Sequence, residues 1–213
     1  MRNNGAGRLD TSAVSDALDR LGIAGQAHGI RPLDPRFRLW GRAFTVRLVP
    51  TTGRGGTVGD FIDDVDPEGV VVLDNGGRAD ASVWGDLLTQ TAERRGVGGT
   101  VIHGVCRDSA RIRDLWYPVF SRGTYMRTGK DRVRAETIGE LVSLGHASVV
   151  AGDLIVGDAD GVVVVPRAQE EAVLDLAREI ADAEDRIREA IKAGGSLREA
   201  RRAVGYHRLQ RTS

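Results

Sequence analysis

The stretch Gly69–Phe120, GVVVLDNGGRADASVWGDLLTQTAERRGVGGTVIHGVCRDSARIRDLWYPVF, decides the fold. Val70–Asp74 reads as a short buried strand, because four apolar residues in succession leave no polar face for solvent. Ala79–Arg95 reads as a helix, Thr100–His103 as a second strand, Ser109–Leu115 as a helical turn and Pro118–Phe120 as a third strand. Strand, helix and strand within about thirty residues is the rhythm of a βαβ unit. Neighbouring strands are therefore expected to run parallel in an α/β core.

Outward from this stretch the signals are local. Thr11–Leu21 is a first helix, with capping oxygens at Asp10, Thr11 and Ser12, apolar Val14, Ala17, Leu18 and Leu21 at helical spacing, and Gly22 to end it. A linker with Pro32 and Pro35 leads to Arg42–Val49, which alternates Ala43, Phe44, Val46 and Leu48 with Arg42, Thr45 and Arg47 and closes at Pro50. Thr51–Gly59 is a glycine-rich loop. After Arg134 come Ser148–Val150, Leu154–Val156 and Val162–Val165, short β runs separated by turns and expected to form a meander in a second, β-rich layer. Ala168–Ala193 is a long helix whose stripe of Val173, Leu176, Ile180, Ala183, Ile187 and Ala190 must be covered by its own domain or by another subunit. Gly194-Gly195 stops it, and Ser196 caps a short last helix. There is no internal repeat, so residues 1–213 are expected to form one domain, with a core of about 10–200 and frayed ends.

Composition narrows the classes. Thirty basic residues balance thirty acidic ones, which leaves no global field to hold nucleic acid or an anionic membrane. A lone cysteine, Cys106, excludes an internal disulfide and any cysteine-based zinc site. The longest apolar run, Gly161–Pro166, falls far short of the ~20 residues of a spanning helix. The N-terminal residues lack the apolar stretch of a signal peptide, so a cytoplasmic protein is expected.

Chemistry concentrates in Gly85–Asp108. The loop ending at Gly85 leaves amides unpaired near Asp86, Leu87 and Leu88, where a small carboxylate can bind. One helix, one turn and one strand separate Asp86 from Arg107, which returns both to the same sheet edge, the side where ligands of open α/β sheets sit. Two carboxylates around an arginine, beside free amides, suit a 2-oxo acid chelated to a hard divalent ion, with one Asp and several waters completing the octahedron. The arginine and the ion would stabilise the enolate that forms when the neighbouring carbon–carbon bond breaks. The plainer reading makes Asp86 a helix-start charge and Arg107–Asp108 a surface ion pair, and on spacing alone it comes first.

Longer phrases add to this. GRAFTV (Gly41–Val46), VVVLDNGG (Val70–Gly77), RGVGGTVIHGVCRD (Arg95–Asp108), PVFSRG (Pro118–Gly123) and AGDLIVGDADGVVVVP (Ala151–Pro166) stand in order. Together with the D-x20-R-D motif at Asp86, Arg107 and Asp108, they make the chain similar over roughly residues 10–200 to a known family. It resembles the regulator of ribonuclease activity A (RraA) family and its relatives, the 4-hydroxy-4-methyl-2-oxoglutarate/4-carboxy-4-hydroxy-2-oxoadipate aldolases.

The resemblance implies a single β/β/α swivelling-type domain with a long C-terminal helix, assembled as a homotrimer or a hexamer of two trimers. It implies a metal-dependent lyase that cleaves a 4-hydroxy-2-oxo acid, decarboxylates oxaloacetate, or both. Asp108 would ligate Mg²⁺ or Mn²⁺, Asp86 would hold metal-bound waters and move protons, and Arg107 would bind the keto or enolate oxygen. The backbone at Leu87 and Leu88 would hold the substrate carboxylate, and Glu184 of a neighbouring subunit, with Glu179 as the alternative, would reach the metal waters. The family also implies a competitor, a non-catalytic ring that docks on a ribonuclease. A third possibility is a lyase of this fold with another hydroxy-acid substrate.

The chain departs from the family at His103, where many relatives carry Asp or Asn, at Arg111, which replaces an acidic residue, and in the loop Pro50–Asp63, which lacks a Pro-Gly-Asp-Asn run. These positions would surround the distal half of the substrate, so the acceptor stays open. His103 is either a proton donor or distal-carboxylate partner, or a structural strand-end residue. Arg111 either binds a second carboxylate or is a solvated or subunit-bridging arginine. Asp158-Ala159-Asp160-Gly161 reads as a β-turn and not a calcium loop, because Val162–Val165 follows where oxygen ligands belong. Cys106 reads as packing, though Arg107 beside it would favour the thiolate.

Overall fold

In the computed structural model, which describes residues 9–51 and 58–206, the alternation of Gly69–Phe120 becomes a parallel array. Strands β1 (Arg31–Pro32), β2 (Leu39–Pro50), β3 (Val70–Asp74), β4 (Gly99–Cys106) and β5 (Val119–Thr124) precede β6 (Val133–Ile138), β7 (Val142–Leu144), β8 (Ala147–Val149), β9 (Leu154–Asp158) and β10 (Gly161–Val165). The main sheet runs β1-β5-β4-β3-β2-β9-β10, with β6 also on β2, and β7-β8 form a separate hairpin. Pairing is parallel from β2 through β3 and β4 to β5. β2 serves three partners: Leu39–Arg42 lie antiparallel to β9, Ala43–Arg47 parallel to β3, and Val46–Pro50 antiparallel to β6.

Two apolar layers flank this sheet. On one face Val46, Val71, Leu73, Ile102 and Cys106 pack with Trp84, with Ala92 of helix α2 (Asp86–Arg95) and with Ile112 of α3 (Ser109–Asp114). On the other, Val70, Val72, Val101 and Phe120 pack with Val142, Leu144, Ala147 and Val149 of the β7-β8 hairpin. Each such side chain contributes roughly 1.5–3 kcal/mol through burial, so small aliphatics suffice to hold both layers. The result is the expected mixed α/β architecture. These elements fall in one compact unit, Gly25–Arg167.

The second unit combines Met1–Ala24 with Ala168–Ser213. Here α1 (Thr11–Arg20) is capped by Asp10, whose carboxylate accepts from the Ala13 amide at 2.9 Å. Its Ala13, Val14, Ala17 and Leu18 are buried, as are Val173, Leu174, Ala177, Ile180, Ala183 and Ile187 of α4 (Glu170–Lys192), against which it packs. The stripe of the long helix is thus largely covered by its own chain. Ser196 caps α5 (Leu197–Ala203) as expected, accepting from the Glu199 amide. No helix among the described residues is long and apolar enough to cross a membrane.

Several expectations are corrected. The helix expected from Ala79 begins at Asp86, because Ser82 and Val83 are drawn into extended pairing beside Val105 and Thr128. Pairing with Gly123 and Thr124 of β5 carries the strand expected at Thr100–His103 on to Cys106. The β8 run turns back on β7 and not on β9, so only β9-β10 form the expected neighbouring pair, across a turn in which Asp158 accepts from the Asp160 amide. Part of the glycine-rich loop Thr51–Gly59, within the longer Pro50–Asp63 segment, lies outside the described residues, as do the two chain ends.

In the helical unit the Tyr206 hydroxyl donates to Glu184 Oε1 at 2.7 Å. Burial, and then this bond to a carboxylate, push the Tyr206 hydroxyl up to about 12. A raised value means that the contribution is complete below the ordinary tyrosine value of about 10 and is lost as pH rises through about 12. Denaturant titrations at stepped alkaline pH are expected to show stability falling across that window, and falling less in Tyr206→Phe.

Candidate active site at the strand ends

Arg107 and Asp108 follow directly from the last residue of β4. The Arg107 amide donates to the Trp84 carbonyl at 2.9 Å, and the Val83 amide to the Val105 carbonyl at 3.1 Å. This extended pairing brings Gly85 and Asp86, the start of α2, beside Arg107 and Asp108. The D-x20-R-D residues are therefore one cluster, as the sequence spacing predicts.

Asp108 adopts a left-handed backbone conformation (φ 57°, ψ 33°) at the N-cap of α3, a region that Asp tolerates better than most residues. Its carboxylate makes no cap to its own helix. Oδ2 instead accepts from the Asp86 amide, the first of α2, at 3.3 Å, and lies 3.3 Å from Arg107 Nε. The approach is possible because residue 85 is glycine: a Cβ there would lie 2.6 Å from Asp108 Oδ2 and 3.4 Å from Arg107 Cγ and Nε. Gly85 offers no side-chain cap, and the amides of Leu87 and Leu88 stand in the first turn, where no carbonyl one turn earlier exists to receive them. Leu87 is 74% exposed, so the first turn of α2 borders solvent on that side. Arg107 and Asp108 are also partly open, with 39% and 36% of their side chains exposed.

The other expected residues are placed differently. Arg111 is exposed on α3. His103 is half-buried on β4, paired in register with Asp74 of β3, and its Nδ1 lies 3.1 Å from Asp74 Oδ1. Glu184 belongs to the helical unit, where its carboxylate accepts from Tyr206 and pairs with Arg188 at 2.7 Å. Glu179 is exposed on the same helix. Cys106 is buried, and burial pushes its thiol up despite the neighbouring Arg107, so the packing reading holds.

Asp74 is the functional candidate that sequence reading missed. Its only signal was a carboxylate ending an otherwise apolar strand. Oδ1 accepts from the Gly76 amide at 2.9 Å and Oδ2 from the Ser143 amide at 3.0 Å. Burial raises this carboxyl, and the bonds from His103, Gly76 and Ser143 more than offset it, leaving Asp74 below the ordinary carboxylate range.

Comparison with known proteins identifies the family. The RraA-like family model (Aldolase/RraA) matches residues 11–164. The chain belongs to the RraA-like family. It is 38% identical over 200 residues to Protein DlpA of Legionella pneumophila, covering 92% of this chain and 32% of that protein. The chain thus spans about a third of that relative's length. It is 35% identical over 181 residues to a Halalkalibacterium halodurans protein named as a candidate 4-hydroxy-4-methyl-2-oxoglutarate aldolase, covering 85% of this chain and 83% of that one. Among solved structures, Streptomyces coelicolor RraAS2, described as an unusual member of the RNase ES inhibitor RraA protein family, matches with a TM-score of 0.77 and 28% identity. That match covers 87% of this chain and 96% of RraAS2.

A lowered carboxyl contributes stability that is complete above its ordinary value of about 4 and is lost as pH falls through the folded-state value. Asp74→Asn is expected to flatten the acid limb of the stability–pH profile below about pH 4, measured by urea unfolding at stepped pH.

Proposed function

We propose that this chain is a divalent-metal-dependent lyase acting on pyruvate-type 2-oxo acids, with 4-hydroxy-4-methyl-2-oxoglutarate cleavage and oxaloacetate decarboxylation as its candidate reactions. One observation carries the reading: the carboxylate of Asp108, the guanidinium of Arg107 and the first amide of α2 meet just beyond the end of β4. The named aldolase relative supports the same reaction class.

The donor set suits a hard ion. Among the described residues no three His, Cys, Asp or Glu side chains converge as a metal cage. A site with one protein carboxylate, completed by substrate oxygens and water, is the way Mg²⁺ is commonly held, and Mn²⁺ accepts similar oxygen donors. Asp108 Oδ2 is engaged by the Asp86 amide and Arg107, so Oδ1 is the oxygen this chain offers to such an ion. When bound, the ion would supply Lewis acidity at the 2-oxo group.

The chain's own residues do the rest. The Leu87 and Leu88 amides, at the positive end of α2, receive the substrate's carboxylate. Arg107 donates to the oxygen that becomes anionic as pyruvate enolate forms, and Asp86, at the first position of α2, is assigned to hold water and shuttle a proton. Retro-aldol cleavage and decarboxylation share that enolate, so one site serves both. Glu184 would enter this scheme from a second copy of the chain, in a homotrimer or homohexamer.

A non-catalytic regulator is the second reading, and kinship with RraAS2 favours it. Inhibition of a ribonuclease by a preparation that releases no pyruvate would identify it. Under the lyase reading, Asp108→Ala is expected to lower Mg²⁺- or Mn²⁺-dependent pyruvate release from oxaloacetate by about a hundredfold or more, after subtraction of the metal-only decay, with EDTA silencing the parent equally. Undiminished release by Asp108→Ala would remove the metal assignment.

A further inference from the structure

A second polar row that the lyase reading leaves unused crosses the end of β3 and the interior of β4 and β5. Asp74 and His103 are register partners, and Arg122 follows Ser121, which pairs with Ile102, so the three side chains leave adjacent strands at the same level. The segment Asn75-Gly76-Gly77 crosses this end. Its Gly77 amide donates to the His103 carbonyl at 3.0 Å, and Gly77 has a left-handed φ of 71°. The point where a Gly77 side chain would begin lies 2.7 Å from Arg122 Nη1 and 3.0 Å from His103 Nε2. Both nitrogens therefore face one space that only the missing Cβ leaves open.

Their chemistry differs. Arg122 is exposed, and among the described residues its guanidinium has no hydrogen-bonding or ionic partner. A guanidinium of this kind matches the two oxygens of a carboxylate. The His103 ring is oriented by Asp74, whose carboxylate already accepts two amide hydrogens and acts as the acceptor for Nδ1–H. In the neutral ring that bond leaves Nε2 as a lone pair directed at the same space, suited to receiving a hydroxyl hydrogen. A plain anion satisfies Arg122 and gives nothing to Nε2, whereas a carboxylate with a hydroxyl on the adjacent carbon satisfies both.

We propose that Arg122 and His103, across the Gly77 cradle, bind a 2-hydroxycarboxylate group, with Asp74 as the positioning residue for the imidazole. The binding stands on this geometry alone. A 4-hydroxy-2-oxo acid with a carboxylate on C4 carries this fragment, so under the lyase reading such acids are candidate ligands of the row.

The test uses the full chain in EDTA and follows the His103 ring signals by NMR, assigned through His103→Gln, while lactate, propionate or inorganic phosphate is added. Lactate is expected to shift those signals and to bind at least tenfold more tightly than propionate or phosphate. Arg122→Gln, an exposed substitution, should weaken lactate at least tenfold, and Asp108→Ala should leave lactate binding unchanged. Equal binding of lactate and propionate, tighter phosphate binding, a lactate response that survives Arg122→Gln, or no shift at His103 would each overturn the proposal. The two readings fail separately. Lactate binding without pyruvate release removes the lyase and keeps this site, while metal-dependent release without lactate binding does the reverse.

Discussion

The contact between the Asp108 carboxylate and the first amide of α2, made directly over Gly85, is the constraint on which the site depends. It joins two segments distant in the chain, the end of β4 and the start of α2. It also requires two locally unfavourable choices: a left-handed aspartate and a helix N-cap without a side chain. Left-handed backbone at a non-glycine residue costs about 1 kcal/mol or more, whereas glycine in place of an oxygen-bearing N-cap costs only about a few tenths of a kcal/mol.

The parallel sheet makes that contact possible. β3 ends at Asp74, level with His103, and β4 runs three residues further to Cys106. Because Ser82 and Val83 extend the pairing to Val105, the chain enters α2 beside residues 107 and 108. The two polar groups at this edge then have separate characters. One is open and combines carboxylate, guanidinium and amides. The other is anchored by Asp74, whose three hydrogen bonds fix a histidine beneath a glycine loop.

How much was legible in the sequence follows from the range of each interaction. β3 was read to the residue, because VVVLD is buried on both faces and carries its own pattern. The Asp86–Arg107–Asp108 cluster was legible because a helix, a turn and a strand have fixed lengths, so twenty intervening residues close the path. The helix start was misplaced from Ala79 to Asp86 because a pairing to Val105 and Thr128 overrode local propensity. β6, VRAETI, escaped notice because its exposed positions dilute the apolar signal, and its partner is the distant β2. Asp74 was invisible as a site residue: one of its three partners is two positions away, the second lies 29 residues off and the third 69. Nothing local announces such a group.

The most direct test of the account is metal-dependent pyruvate release by Gly85→Ala measured beside the parent chain. Residue 85 lies in ordinary extended backbone, so the added methyl acts through its collision with Asp108 and not through backbone strain. The account predicts release by the parent, and at least tenfold less from the variant, with circular dichroism showing the same folded content. Equal release from the two proteins, or none from a folded parent supplied with Mg²⁺ or Mn²⁺, would contradict it.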